Sequence, residues 1–277
     1  MNIAMMIDSE FYREQGYVVL RNYLDKALVT QIYTETRQVF AEQIKRVLHQ
    51  TVDIEDRTAF EKAMYALFEK DLKSFINCGK QVNHLLSLHR FGTDEAFTSA
   101  AAALGVDFPV ISNRPTLLFN SPHLATRKDY WKMEAHQDWR PSQGSLDSIT
   151  AWFPLIDCDT KLGALQVMPQ SHYFGLLKTV EYGYYGEINE RELKDEDFVQ
   201  LEFEVGDVLF FNALLVHRSG LNSTDDVRWS VQYRYNNLHE PTFIERGFPS
   251  PFNYRPDGDV LVPGFPSQSD MIAALNK

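Results

Sequence analysis

The hydrophobic period of this chain changes near residue 105, and that change restricts the fold more than any other feature of the sequence. Before it, apolar side chains recur at helical intervals. Phe60, Met64, Leu67, Phe68, Leu72 and Phe75 fall on one face of a helix expected from about Asp56 to Ile76. Asp25 opens another long helical stretch, with Leu28, Ile32, Val39, Ile44 and Leu48 as an apolar stripe that Glu35 and Thr36 interrupt. Asp8 or Ser9 can cap a short helix through Gln15, ended by Gly16, and Tyr17 to Leu20 suit a brief strand. Residues 80–89 and 94–104 also read as helix, so the portion 1–105 is expected to be largely helical.

Beyond that point short β-like runs divided by Pro and Gly replace the long periodic ones. Strands are expected at 115–120, 132–138, 148–156, 163–168, 199–204, 207–211, 213–217 and 227–235. Many short strands separated by turns indicate an antiparallel sandwich or barrel, not alternating βαβ units. No GxGxxG or GxxxxGKS run supports a nucleotide-binding fold. Within the strand-rich part, 106–240, the stretch 173–198 is rich in Tyr and acidic residues and is expected to carry one short helix around 189–194. It reads either as a solvated surface excursion or as a loop over a barrel mouth. Residues 241–277 read as irregular.

Composition narrows the partners. With 277 residues, 44% of them hydrophobic, the chain can build one large core or two modest ones. Lys and Arg total 27 against 38 Asp and Glu, a net charge of -11 that argues against a nucleic-acid footprint or an anionic membrane surface. No run of apolar residues is long enough to span a bilayer. Two cysteines without CxxC spacing make neither a disulfide framework nor a thiolate metal site. The N-terminus does not read as a signal peptide. These features together give the expectation of a soluble cytoplasmic protein, in an oligomeric state the sequence leaves open.

The segment His136-Gln137-Asp138 carries the chemistry. On a strand, positions two apart share a face, so His136 and Asp138 would present an imidazole and a carboxylate together while Gln137 points away. His217, closing another apolar run, is the best third ligand. Two histidines and one carboxylate form the facial triad that leaves several positions open on non-haem Fe(II), although zinc accepts the same donors. Among eight histidines an HxD pair arises readily by chance. A satisfied histidine beside an ordinary ion-pairing aspartate would look the same. On the 227–235 run the odd positions are apolar and aromatic, and the even ones are Arg228, Ser230, Gln232 and Arg234. That polar face meets solvent, or it lines a barrel where a guanidinium can clasp a carboxylate.

Taken in order, four segments resemble the phytanoyl-CoA dioxygenase-like family of Fe(II)/2-oxoglutarate-dependent oxygenases. They are FYREQGYVVLRNYLD near the N-terminus, HQD at 136–138, GALQVMPQSH at 163–172 and VGDVLFFNALLVHRSG at 205–220, with Arg228 eleven residues after His217. The resemblance implies a mainly β fold with helices: one oxygenase domain over 1–277, with a double-stranded β-helix, or jelly roll, packed against N-terminal helices. It implies His136, Asp138 and His217 as iron ligands. Arg228 and Ser219 would hold the distal carboxylate of 2-oxoglutarate, with Trp152 and Asn120 near positions that line the cosubstrate pocket in relatives. Arg234 is a rival to Arg228 on the same strand face, and His172 reads as structural. The implied cofactors are Fe(II), 2-oxoglutarate and O2. The implied activity is hydroxylation of a small organic metabolite with decarboxylation of 2-oxoglutarate to succinate. Halogenating relatives carry a small residue in place of the carboxylate ligand, and Asp138 fills that position here. The competing readings are a cupin-like metal-dependent isomerase, a zinc hydrolase and a non-catalytic jelly-roll binding module. Cupins usually carry HxH with a following glutamate, which this chain lacks.

Overall fold

A computed structural model of the chain describes residues 7–124, 132–180, 186–189 and 193–249. The helical portion is built on aspartate caps. Asp8 accepts from the Phe11 amide to start α1 (Ser9–Gln15), and Gly16 closes it in the left-handed region at φ 81°. Asp25 caps α2 (Lys26–Leu48) and Asp56 caps α3 (Arg57–Lys70). The single helix expected over 56–76 is two helices that break at Asp71. Its backbone amide closes α3 on the Leu67 carbonyl while its carboxylate accepts from Ser74 to open α4 (Leu72–Val82). Two shorter helices follow, α5 (Leu86–Phe91) and α6 (Glu95–Ala103). The stripe on α2 is also rotated from the expected one: Val29, Ile32, Tyr33, Thr36, Phe40 and Ile44 are buried, whereas Leu28 is exposed.

Among the described residues nine strands form two sheets. β1 (Tyr17–Leu20), β7 (Val208–Asn212), β4 (Ile149–Pro154), β9 (Arg228–Asn237) and β2 (Pro109–Ile111) follow one another in the larger, and β3 (Thr116–Asn120) also pairs with β9. The smaller sheet runs β6 (Val199–Gln200), β5 (Leu165–Val167), β8 (His217–Ser219). All pairings are antiparallel. Helices make up a larger share of the described chain than strands do, so the architecture is mixed α/β, not mainly β. Among the described residues no hydrogen-bonded strand pair joins the two sheets into a closed barrel.

Two expected strands are corrected. Residues 132–138 contribute a single bridge at His136, because the chain enters the short helix α7 (Trp139–Ser142) directly after Asp138. Residues 213–216 are a turn, and the strand begins only at His217. The helix expected at 189–194 falls largely on residues 190–192, outside the described ones; a short 3-10 turn lies at Asp195–Asp197. Within 241–277, expected irregular, Pro241–Glu245 form the helix α8, and 250–277 lie outside the described residues.

The larger sheet is buried on both faces, and strand alternation sorts its side chains. Ala151, Phe153, Phe210, Trp229, Val231 and Tyr233 join Phe40, Phe60, Phe75 and Phe97 in one apolar cluster with the helices. Trp152, Leu209 and Phe211 point the other way and join Leu165, Val167 and Phe203 between the sheets. The helices therefore back the larger sheet, and the polar positions of β9 face inward instead of meeting solvent.

Candidate metal centre

His217 begins β8 and pairs across it with Val167 of β5. On its other side it exchanges both backbone hydrogen bonds with His136, at 3.0 and 3.1 Å. Residues directly opposite in an antiparallel pair share a face, and the two imidazoles lie 4.2 Å apart between centroids. Asp138 reaches the same point by a different route from the strand geometry expected. Its backbone is already helical (φ -64°, ψ -22°), and this turn brings its carboxylate back toward the imidazoles. Oδ1 then stands 3.7 Å from His136 Nε2 and 3.8 Å from His217 Nε2. All three residues are buried, and one donor atom from each lies within 4.8 Å of the others.

The donors are prepared for a metal. His136 Nδ1 lies 2.7 Å from the Glu134 carbonyl and His217 Nδ1 3.0 Å from that of Leu215. With Nδ1–H donating to a carbonyl, a neutral imidazole presents its Nε2 lone pair to the centre. His217 Nε2 is buried without a hydrogen-bond partner, as a lone pair reserved for a cation would be. Burial drops the His136 pKa to about 3, the neighbouring His217 adding to the fall and Asp138 opposing it. Burial also lowers His217. Burial alone would raise Asp138, but Arg234 and both imidazoles hold its carboxyl well below the usual range. Two neutral imidazoles and one carboxylate are the donor set that Fe(II) accepts.

Gln137 points away from this centre. Its Nε2 donates to the carbonyls of Gly175 and Leu214 at 2.8 and 2.6 Å, and its Oε1 accepts from the Leu177 amide at 2.9 Å. Arg140 donates to the Leu177 carbonyl and the Ile188 amide to that of Ala135. The described parts of the 173–198 excursion therefore lie against the segment that carries two of the donors.

Ser219, two positions along β8 from His217, and Arg228, at the start of β9, are both buried. Arg228 Nη2 donates to Ser219 Oγ at 3.0 Å and to Asn120 Oδ1 at 2.7 Å, and Nη1 donates to the Gly163 carbonyl. Asn120 is the β3 register partner of Arg228. Arg228 Nε has no partner, and among the described residues no carboxylate pairs with this guanidinium. Burial lowers its pKa, the mark of a cation held in a dry site without a counter-ion. Trp152 is fully buried between the sheets with its ring 4.8 Å from that of Phe203.

A profile of the family described as Phytanoyl-CoA dioxygenase (PhyH) matches residues 12–230. The chain belongs to the phytanoyl-CoA dioxygenase family. Among its relatives, the peroxisomal phytanoyl-CoA dioxygenase of Homo sapiens is 28% identical over 244 residues, covering 84% of this chain and 69% of that protein. The Rattus norvegicus protein of the same name is 25% identical over 246 residues, with the same coverage of 84% and 69%. The solved structure of the non-heme alpha ketoglutarate dependent epimerase SnoN from nogalamycin biosynthesis superposes with a TM-score of 0.55 at 20% identity, covering 97% of this chain and 96% of that one. EctD from S. alaskensis with bound Fe gives 0.53 at 16% identity, covering 84% and 76%. These two structures share the fold of this chain. Family and triad together make this phytanoyl-CoA dioxygenase family member a non-haem Fe(II), 2-oxoglutarate-dependent oxygenase of a small organic substrate.

Other residues singled out in the sequence have separate places. Arg234 meets Asp138, not the Arg228 cluster. His172 Nε2 lies 3.0 Å from the Arg13 carbonyl, and its ring packs where a Cβ on Gly16 would be, a structural contact. Of the basic residues that flank HQD in the sequence, Arg114 bonds His84 and Lys132 pairs with Glu134. Sequence reasoning missed Thr150, whose Oγ1 donates to Asp138 Oδ2 at 2.8 Å. Its place on the inward face of β4, opposite Arg234 on β9, was the only available signal.

Proposed function

We propose that this chain is a hydroxylase in which Arg228, Ser219 and Asn120 hold the distal carboxylate of 2-oxoglutarate. The observation that carries the reading is the Arg228 guanidinium, buried and hydrogen-bonded yet paired with no carboxylate among the described residues. An unneutralised buried cation is costly, and a bound anion removes the cost. Ser219 lies two residues from His217, about 7 Å along a strand, which suits a short dicarboxylate lying between the metal donors and the arginine. Trp152, on the inward face of β4, is assigned as an apolar wall of the same pocket.

When bound, iron and 2-oxoglutarate supply the oxidising chemistry, in which substrate, O2 and 2-oxoglutarate give hydroxylated product, succinate and CO2. The protein holds the donors, orients the dicarboxylate and keeps water from the buried centre. No side-chain general base is needed. Asp138 is kept as a carboxylate ligand, which supports hydroxylation over halogenation. In this reading the two sheets are the halves of a double-stranded β-helix within one oxygenase domain, placed in the cytoplasm. No described helix is long and apolar enough to cross a membrane. Succinate formation from 2-oxoglutarate, screened against a panel of small metabolites, tests the proposal. Stoichiometric succinate and hydroxylated product are expected with the true substrate. Well-folded, Fe(II)-loaded protein that forms no succinate with any of them contradicts it.

A further inference from the structure

The Arg234 guanidinium lies across the carboxylate of Asp138, with Nε donating to Oδ2 at 2.9 Å and Nη2 to Oδ1 at 3.1 Å. Thr150, the register partner of Arg234 between β4 and β9, donates to the same Oδ2 at 2.8 Å. Oδ2 therefore takes two hydrogen bonds from protein, and Oδ1 is the oxygen that faces both imidazoles at 3.7 and 3.8 Å.

We propose that Arg234, together with Thr150, is a positioning residue that turns Asp138 Oδ1 toward the metal and keeps Oδ2 out of coordination. The terminal torsion of an aspartate is broad and two-fold, so the backbone alone does not choose between its oxygens. A carboxylate free to turn can bind a cation through both oxygens and so fill a position that the facial triad must leave open. The planar fork of an arginine removes that freedom, since its two N–H groups match the two oxygens in one orientation. The fork is itself held. Gln232 Oε1 accepts from Arg234 Nη2, and β9 is flanked by β4 on one side and by β2 and β3 on the other. A guanidinium committed to Asp138 is also not free to take a second carboxylate, which separates its role from that of Arg228.

The inference rests on His136, Asp138 and His217 being metal ligands, and its test reads metal binding, not turnover. Mn(II) binding is followed by electron paramagnetic resonance for the wild type, Arg234→Gln and Arg234→Lys, with thermal unfolding of each. Arg234→Gln is expected to weaken Mn(II) binding by about 10- to 100-fold, the range seen when an outer partner of a metal ligand is lost. Arg234→Lys is expected not to restore it, because one ammonium cannot span both oxygens. Should Arg234→Gln fail to fold, Thr150→Val removes only the second donor to Oδ2 and is expected to weaken binding several-fold. Mn(II) binding as tight as wild type with an unchanged Mn(II) resonance in the folded Gln variant, or full rescue by lysine, overturns the inference. A wild type that binds no Mn(II) would instead overturn the ligand assignment itself.

Discussion

His136 and His217 face each other across a single β-bridge, exchanging both backbone hydrogen bonds and holding their imidazole centroids 4.2 Å apart. The metal centre thus depends on one pair of opposed residues at the edge of the smaller sheet, with Asp138 folded back onto them by the first turn of α7. Removal of either histidine leaves two donors. His217→Ala is expected to reduce Mn(II) affinity by more than the about 10- to 100-fold that an outer partner commands, with little change in unfolding temperature. Calorimetric titration checks this, and near-native affinity would remove His217 from the centre.

Arg228 makes a prediction with two signs. In the absence of cosubstrate it is an unneutralised buried cation, so Arg228→Met is expected to be as stable as wild type or more stable. With Mn(II) present, 2-oxoglutarate is expected to raise the unfolding temperature of the wild type and not of the variant. Loss of one charged hydrogen-bond partner, worth about 1.5–3 kcal/mol, weakens 2-oxoglutarate binding by about 10- to 100-fold. Mn(II) affinity is expected to stay within a few-fold of wild type. Thermal shift with each ligand in turn provides the measurement.

Gln137 ties the described part of the excursion to the metal segment through three hydrogen bonds. Gln137→Leu keeps the side-chain volume and removes all three. Hydrogen exchange at the Leu177 amide, which donates to Gln137, is expected to accelerate by at least about tenfold, the equivalent of roughly 1.4 kcal/mol of protection. Unchanged exchange at Leu177 would show that Arg140 and the Ile188 backbone bond hold the segment alone.

Asp207 supplies a pH prediction away from the centre. Burial alone would raise its pKa, but the Glu204 and Asn22 amides and Arg21 reverse this and hold the carboxyl below its ordinary value. Because the folded-state pKa is the lower one, the stabilisation is present above the ordinary aspartate pKa and is lost as pH falls through the folded value. Asp207→Asn is expected to cost about 1–3 kcal/mol at neutral pH and to flatten the acid limb of stability. Urea unfolding at pH 7 and pH 3 compares the two proteins.

The parts of this molecule that were legible in the sequence are those fixed by local rules. Asp8 and Gly16 marked both ends of α1, and the alternation from Arg228 to Tyr235 separated the inward face of β9 from its aromatic one. Strand alternation could not say whether that inward face meets water, since a sheet backed by helices on one side and a second sheet on the other buries both. Asp71 was hidden because a residue that caps two helices at once leaves the apolar period on either side intact. The HQD segment was read by a strand argument although Asp138 is helical: the three side chains converge, but through a turn. The contact between Arg234 and Asp138 spans 96 residues, and no local pattern encodes which carboxylate a buried arginine meets.

The proposed metal centre binds Fe(II) and 2-oxoglutarate together. Its most direct test is the absorption spectrum of the protein with Fe(II) and 2-oxoglutarate under anaerobic conditions. A weak visible charge-transfer band is expected for the wild type, lost in Asp138→Ala. No band in well-folded wild-type protein, or an identical band in Asp138→Ala, would contradict it.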